Sequence, residues 1–165
     1  MSDPDKRSIL AQAIVDVFEQ TAFMMPEVVA TEGAQEWPDT TCVFVTVEYS
    51  GPSEGIVSLV IPPGPSMELT SNFLGEDAEA DELGQEHIDA VKEMANIVAG
   101  QFLPRCFGTT AVFRLTPPEA ELRDAEQLAA RFEKEDFIQL EIDGDPVLAT
   151  LSRGKDVHEH QSIGS

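Results

Sequence analysis

Basic residues are scarce in this chain: 10 lysines and arginines stand against 31 aspartates and glutamates in 165 residues, a formal net charge of −21. A field of that sign repels nucleic acid and anionic membrane surfaces, and it favours a partner with a basic or metal-bearing face. Long apolar runs are missing as well. No stretch approaches the roughly 18 consecutive apolar residues that a membrane-spanning helix needs. The opening MSDPDKRS has neither the charged nor the apolar region of a signal peptide. The expectation is a cytoplasmic protein. Cysteine is limited to Cys42 and Cys106, without CxxC spacing, so both read as reduced thiols rather than as a bridge or a metal cluster.

The common catalytic signatures are absent too. There is no GxxxxGK[ST], no GxGxxG after a strand and no GxSxG elbow, which leaves nucleotide cradling and a hydrolase-type serine without a motif. A nucleophilic triad needs a histidine beside Ser or Cys. Of the three histidines, His87 falls on the apolar side of a predicted helix and reads as a partly buried helix residue, and His158 and His160 lie in the last few residues. A tail supplies neither fixed geometry nor supporting hydrogen bonds for a metal at His158-Glu159-His160.

What is present suits one domain. With 42% hydrophobic and 25% charged residues the chain can bury a core, expected over residues 1–154 with a loosely held tail at 155–165. Asp3-Pro4 announces a first helix, with Ile9, Leu10, Ala13, Ile14, Val17 and Phe18 recurring at helical spacing towards Pro26. Residues 27–40 read as irregular, with the lone Trp37 covering an edge of the core. β-branched and aromatic runs at 41–50 and 55–61 flank a Gly-Pro turn and predict an antiparallel hairpin. Pro62, Pro63 and Pro65 stop the second strand, Ser66 caps a short helix to about Leu74, and an acidic loop follows at 75–82. A long helix over 83–103, closed by Pro104, leads to a strand at 111–116, a short helix within 119–131 and a terminal hairpin of 136–142 and 147–152. This order predicts an α+β fold: a largely antiparallel sheet with long helices packed on one face. There is a hint of duplicated helix-plus-strands halves, since Glu19-Gln20-Thr21-Ala22 can be laid over Glu93-Met94-Ala95-Asn96.

The unusual stretch is DAVKEMANIVAG, residues 89–100 of the long helix. At about 100° per residue, Asp89, Glu93, Asn96 and Gly100 share one narrow stripe, opposite Val91, Met94 and Val98. The apolar side explains itself as core. The polar side is unfavourable in itself, because carboxylates at i and i+4 repel by about 0.2–0.5 kcal/mol and a mid-helix Gly costs about 1 kcal/mol against Ala. Read from the residues alone, the stripe is either a solvated helix face or a functional surface, and Gly100 serves either close approach of a partner or packing within the protein.

The pattern Asp89-x-x-x-Glu93-x-x-Asn96 resembles the signature [Asp/Ser]-x-x-x-Glu-x-x-Asn of the CheC/CheX/FliY chemotaxis phosphatases, and EMANIVAGQF looks like the helix that carries it. In that family a proline follows the signature at slightly longer spacing than Pro117 and Pro118 have here. The first helix has Val15 and Ala22 at the positions of Asp89 and Asn96, so the resemblance is to the single-site CheX type. It implies hydrolysis of the aspartyl phosphate of a CheY-like response regulator, with Glu93 and Asn96 as the catalytic pair and Asp89 and Gly100 in the substrate-binding surface. It also implies a homodimer, and no cofactor bound by this chain, the Mg²⁺ belonging to the regulator. Two other readings use the same residues: a module that binds the phosphorylated regulator without hydrolysis, and a scaffold subunit of a motor or signalling assembly that pairs through exposed strand edges.

Overall fold

The computed structural model describes residues 3–29, 38–132 and 136–153. Within them four helices, α1 (Asp3–Ala22), α2 (Pro63–Leu74), α3 (Gln85–Phe107) and α4 (Ala125–Phe132), accompany seven strands. The strands are β1 (Glu27–Val28), β2 (Cys42–Ser50), β3 (Gly55–Ile61), β4 (Arg114–Leu115), β5 (Glu119–Arg123), β6 (Ile138–Ile142) and β7 (Asp145–Ser152). They form one sheet in the order β1-β6-β7-β3-β2-β4, with β5 also paired to β2, and every pairing is antiparallel. The α+β class with a largely antiparallel sheet is therefore what the periodicities predict.

Alternation along β2 divides the core in two. Val43, Val45 and Val47 face the main core with Leu10, Ile14 and Phe18 of α1 and Val91, Met94, Val98 and Phe102 of α3. Cys42 and Phe44 face the other way, into a smaller cluster with Val60, Leu128, Phe132, Phe137 and Leu148. The long helices thus cover one face, and short α4 seals part of the other. Burial pushes the Cys42 thiol up to about 12, with Asp145 and Asp39 adding to it, and burial raises the Cys106 thiol as well. Both cysteines are free thiols.

Several boundaries differ from the sequence expectation, each for a physical reason. Residues 27–28 are not irregular: they pair with β6 as a short edge strand. Trp37 and the tail from residue 154 onward lie outside the described residues. Helix α2 starts at Pro63, in its first turn where a missing N–H costs nothing, and Ser66 is not its cap, its hydroxyl instead donating to the Ile61 carbonyl. Helix α3 runs through Pro104 for one further turn and ends at Gly108, whose N–H bonds the Pro104 carbonyl. Residues 119–123 form a strand rather than the start of a helix. Their Ala, Leu and Glu are helix formers, yet β2 presents an open edge at 42–46 that they complete in register, and tertiary pairing overrides propensity. The strand expected at 111–116 shrinks to two residues beside it.

Candidate functional site

The stripe on α3 is held outward by what lies beneath it. Val91, Met94, Ala95, Val98 and Ala99 are at most 1% exposed, so rotation of the helix about its axis would lift that face out of the core. Asp89, Glu93, Asn96 and Gly100 are correspondingly all exposed. Two contacts fix the helix at its ends. At the start, buried His87 accepts the Gly84 N–H at Nδ1 (2.8 Å) and donates from Nε2 to the Ala78 carbonyl (2.7 Å), tying the loop before α3 onto its first turn. It is thus a structural residue, as expected from its place on the apolar side. Near the end, Arg105 Nη1 donates to Asp16 Oδ2 at 2.8 Å and joins α3 to α1.

The exposed side chains do not form a closed network. Asp89 accepts a 2.8 Å hydrogen bond from Gln85 Nε2. Glu93 and Asn96 have no hydrogen-bond or ion-pair partner among the described residues. A depression of about 210 Å³ is lined by Asp89, Lys92, Glu93, Asn96 and Pro118. Three of the four residues singled out in the sequence therefore meet at one surface feature. Gly100 lies on the same stripe, outside the lining, and a Cβ built on it would meet nothing within 4 Å among the described residues beyond its own turn of helix. That disposes of a packing role for this glycine. Pro104 has no N–H to offer the carbonyl four residues earlier, so the Gly100 carbonyl lacks its usual helical donor.

Two lining residues, Lys92 and Pro118, were not among the sequence candidates. Lys92 interrupts the helical pattern with no signal of its own. Pro118 had a signal, its spacing from Asn96, which Pro117 shared; folding decides between them by half-burying Pro118 and leaving Pro117 exposed. On α1, the positions laid over Asp89 and Asn96 hold half-buried Val15 and fully buried Ala22, so that helix presents no second stripe. A larger depression of about 390 Å³ lies at the start of α2 and the β6–β7 turn, among Glu68, Asp77, Glu79, Asp143 and Asp145. Among the described residues no group of three or more His, Cys, Asp or Glu side chains is arranged to hold a metal ion, and no helix is long and apolar enough to cross a membrane.

Chemically, the α3 surface offers an uncharged amide able to donate and accept, a carboxylate one turn before it, an ammonium beside them and a rigid wall. That set can orient water and dock a charged partner. Comparison with known proteins gives this surface a context. The family model described as "Chemotaxis phosphatase CheX" matches residues 43–140, which include all of α3 and Pro118. No curated protein matches the chain in sequence. Among solved structures, the chemotaxis protein CheX of Desulfovibrio desulfuricans is similar at 14% identity and a TM-score of 0.66, over 90% of this chain and 99% of that one. CheX of Vibrio vulnificus is similar at 13% identity and 0.69, over 90% and 98%. A third is the CheX of Borrelia burgdorferi, in a complex with CheY, BeF3 and Mg²⁺, at 18% identity and 0.59 over 88% and 95%. At these identities the structural likeness speaks for the fold.

Proposed function

Because the chain belongs to the CheX family of chemotaxis phosphatases, matched over residues 43–140, we propose that it accelerates hydrolysis of the aspartyl phosphate of a CheY-like response regulator in the cytoplasm. The observation that supports this reading is the meeting of Glu93, Asn96 and Pro118 at one open surface of the helix whose Asp89-x-x-x-Glu93-x-x-Asn96 pattern resembles the family signature.

An acyl phosphate is already activated, and the regulator contributes its own Mg²⁺, so the helper protein mainly has to place water in line with the scissile bond. Asn96 does this: its amide accepts from and donates to water without bringing a negative charge towards the phosphoryl group. Glu93, one turn earlier, pairs with a lysine beside the regulator's phosphorylation site and fixes the register of docking. Asp89, held by Gln85, makes a rim contact. Gly100 lets the two backbones approach.

Single-turnover decay of a phosphorylated regulator tests the assignment. Asn96→Ala loses the rate with modest loss of binding, and Glu93→Ala weakens both. Decay unaltered by either variant removes the assignment, and a complex that forms without shortening the phosphate lifetime replaces it with a binding module. We further propose a homodimer formed through a strand edge such as β1. Size-exclusion chromatography with crosslinking reads it directly, and a monomer at every concentration rejects it.

A further inference from the structure

The acidic stripe poses an electrostatic problem for the reading above, on which this inference rests. A phosphoryl group is an anion, and Asp89 and Glu93 both stand where it must approach. The depression also contains a cation. Lys92 is half-buried, lines the same surface as Glu93, Asn96 and Pro118, and makes no ion pair among the described residues. That is unexpected in so acidic a chain, since an Asp three residues before a Lys is a ready helical partner. Asp89 occupies that position and takes its bond from Gln85 instead. The other cation of α3, Arg105, is already engaged with Asp16.

Helical geometry places the lysine usefully. Measured from Asp89, Lys92 lies about 60° to one side of the stripe and Glu93 about 40° to the other, with Asn96 between them. The amide is therefore bracketed by an ammonium and a carboxylate. We infer that Lys92 is a specificity residue that reads the phosphoryl group of the partner, its ammonium donating to phosphoryl oxygen while Glu93 engages the partner's cation on the opposite flank. A half-buried lysine with no ion pair among the described residues suits this role, and a charge-assisted bond to phosphoryl oxygen discriminates against the unphosphorylated partner, which lacks that acceptor.

The test compares wild type, Lys92→Met and Lys92→Arg for binding to a candidate CheY-like regulator in its unactivated form and in its beryllofluoride-activated, Mg²⁺-bound form, with phosphate release measured alongside. Wild type prefers the activated form. Lys92→Met reduces that preference about tenfold, leaves affinity for the unactivated form within about twofold and flattens the salt dependence, and Lys92→Arg keeps most of the preference. A melting temperature close to wild type shows that the variants fold. If Lys92→Met discriminates as wild type does, the inference is overturned while the phosphatase reading stands on Asn96→Ala. If wild type neither prefers the activated regulator nor speeds phosphate loss, the reading itself fails and takes this inference with it.

Discussion

A methyl group added at Gly100 meets nothing within 4 Å among the described residues beyond its own turn of helix, so the glycine costs helix stability without a structural return. Gly100→Ala is expected to raise unfolding free energy by about 0.5–1 kcal/mol in denaturant titrations. If Gly100 is part of the docking face, the same variant also slows dephosphorylation of the regulator. A stabilised variant with unchanged rate places Gly100 outside that face. Met94, fully buried on the opposite side of α3, behaves in the reverse sense: Met94→Ala is expected to cost about 2–5 kcal/mol, read as a lower denaturant midpoint with the slope unchanged. The two substitutions separate what the helix does for the fold from what it does for a partner.

Helix α3 is aimed by the elements around it. Hydrogen bonds from Gln12 and then Arg105 hold the Asp16 carboxyl below its ordinary value of 3.8. A depressed carboxylate contributes stability that is present above the unfolded value and lost as pH falls through the folded one. Asp16→Asn is therefore expected to lower stability at neutral pH, by no more than about 1 kcal/mol for so exposed a pair. The gap from wild type should close as pH is taken down from about 3.8, and a gap that persists there would show that the helix contact does not depend on charge. The terminal hairpin has a different device. Asp143 and Gly144 both have positive φ, 50° and 86°, the two-residue turn suited to strand twist. Gly144→Val is expected to cost about 1–2 kcal/mol in the same titrations.

The whole molecule carries a formal charge of −21, and its carboxylates repel one another in the folded state more than in the expanded chain. Added monovalent salt shortens the Debye length to about 10 Å at 0.1 M and about 3 Å at 1 M. The melting temperature is accordingly expected to rise with sodium chloride over that range. A flat or falling trend would mean that paired charges, such as Arg105 with Asp16, outweigh the general repulsion. The same field gives no broad attraction to an acidic partner, so in the proposed docking local groups such as Glu93 and Lys92 carry recognition.

Period alone determined much of this protein. The 3.6-residue recurrence in α1 and α3, the β-branched runs of β2 and β3 and the Asp143-Gly144 turn signal are local, and each specified its element. The polar stripe was legible for the same reason, since residues three and four apart on a helix share a face whatever surrounds it. Tertiary structure decided what local preference leaves open. Residues 119–123 are a strand because β2 had an edge to fill. Pro104 lies within a helix whose last turn packs on. Pro118 rather than Pro117 lines the depression with Asn96, a choice between adjacent prolines that their spacing from Asn96 does not make. Lys92 stands beside Asn96 by helical spacing alone, but that it is half-buried at a depression walled by Pro118 was decided by folding, because proximity between distant segments is a property of packing and not of sequence spacing.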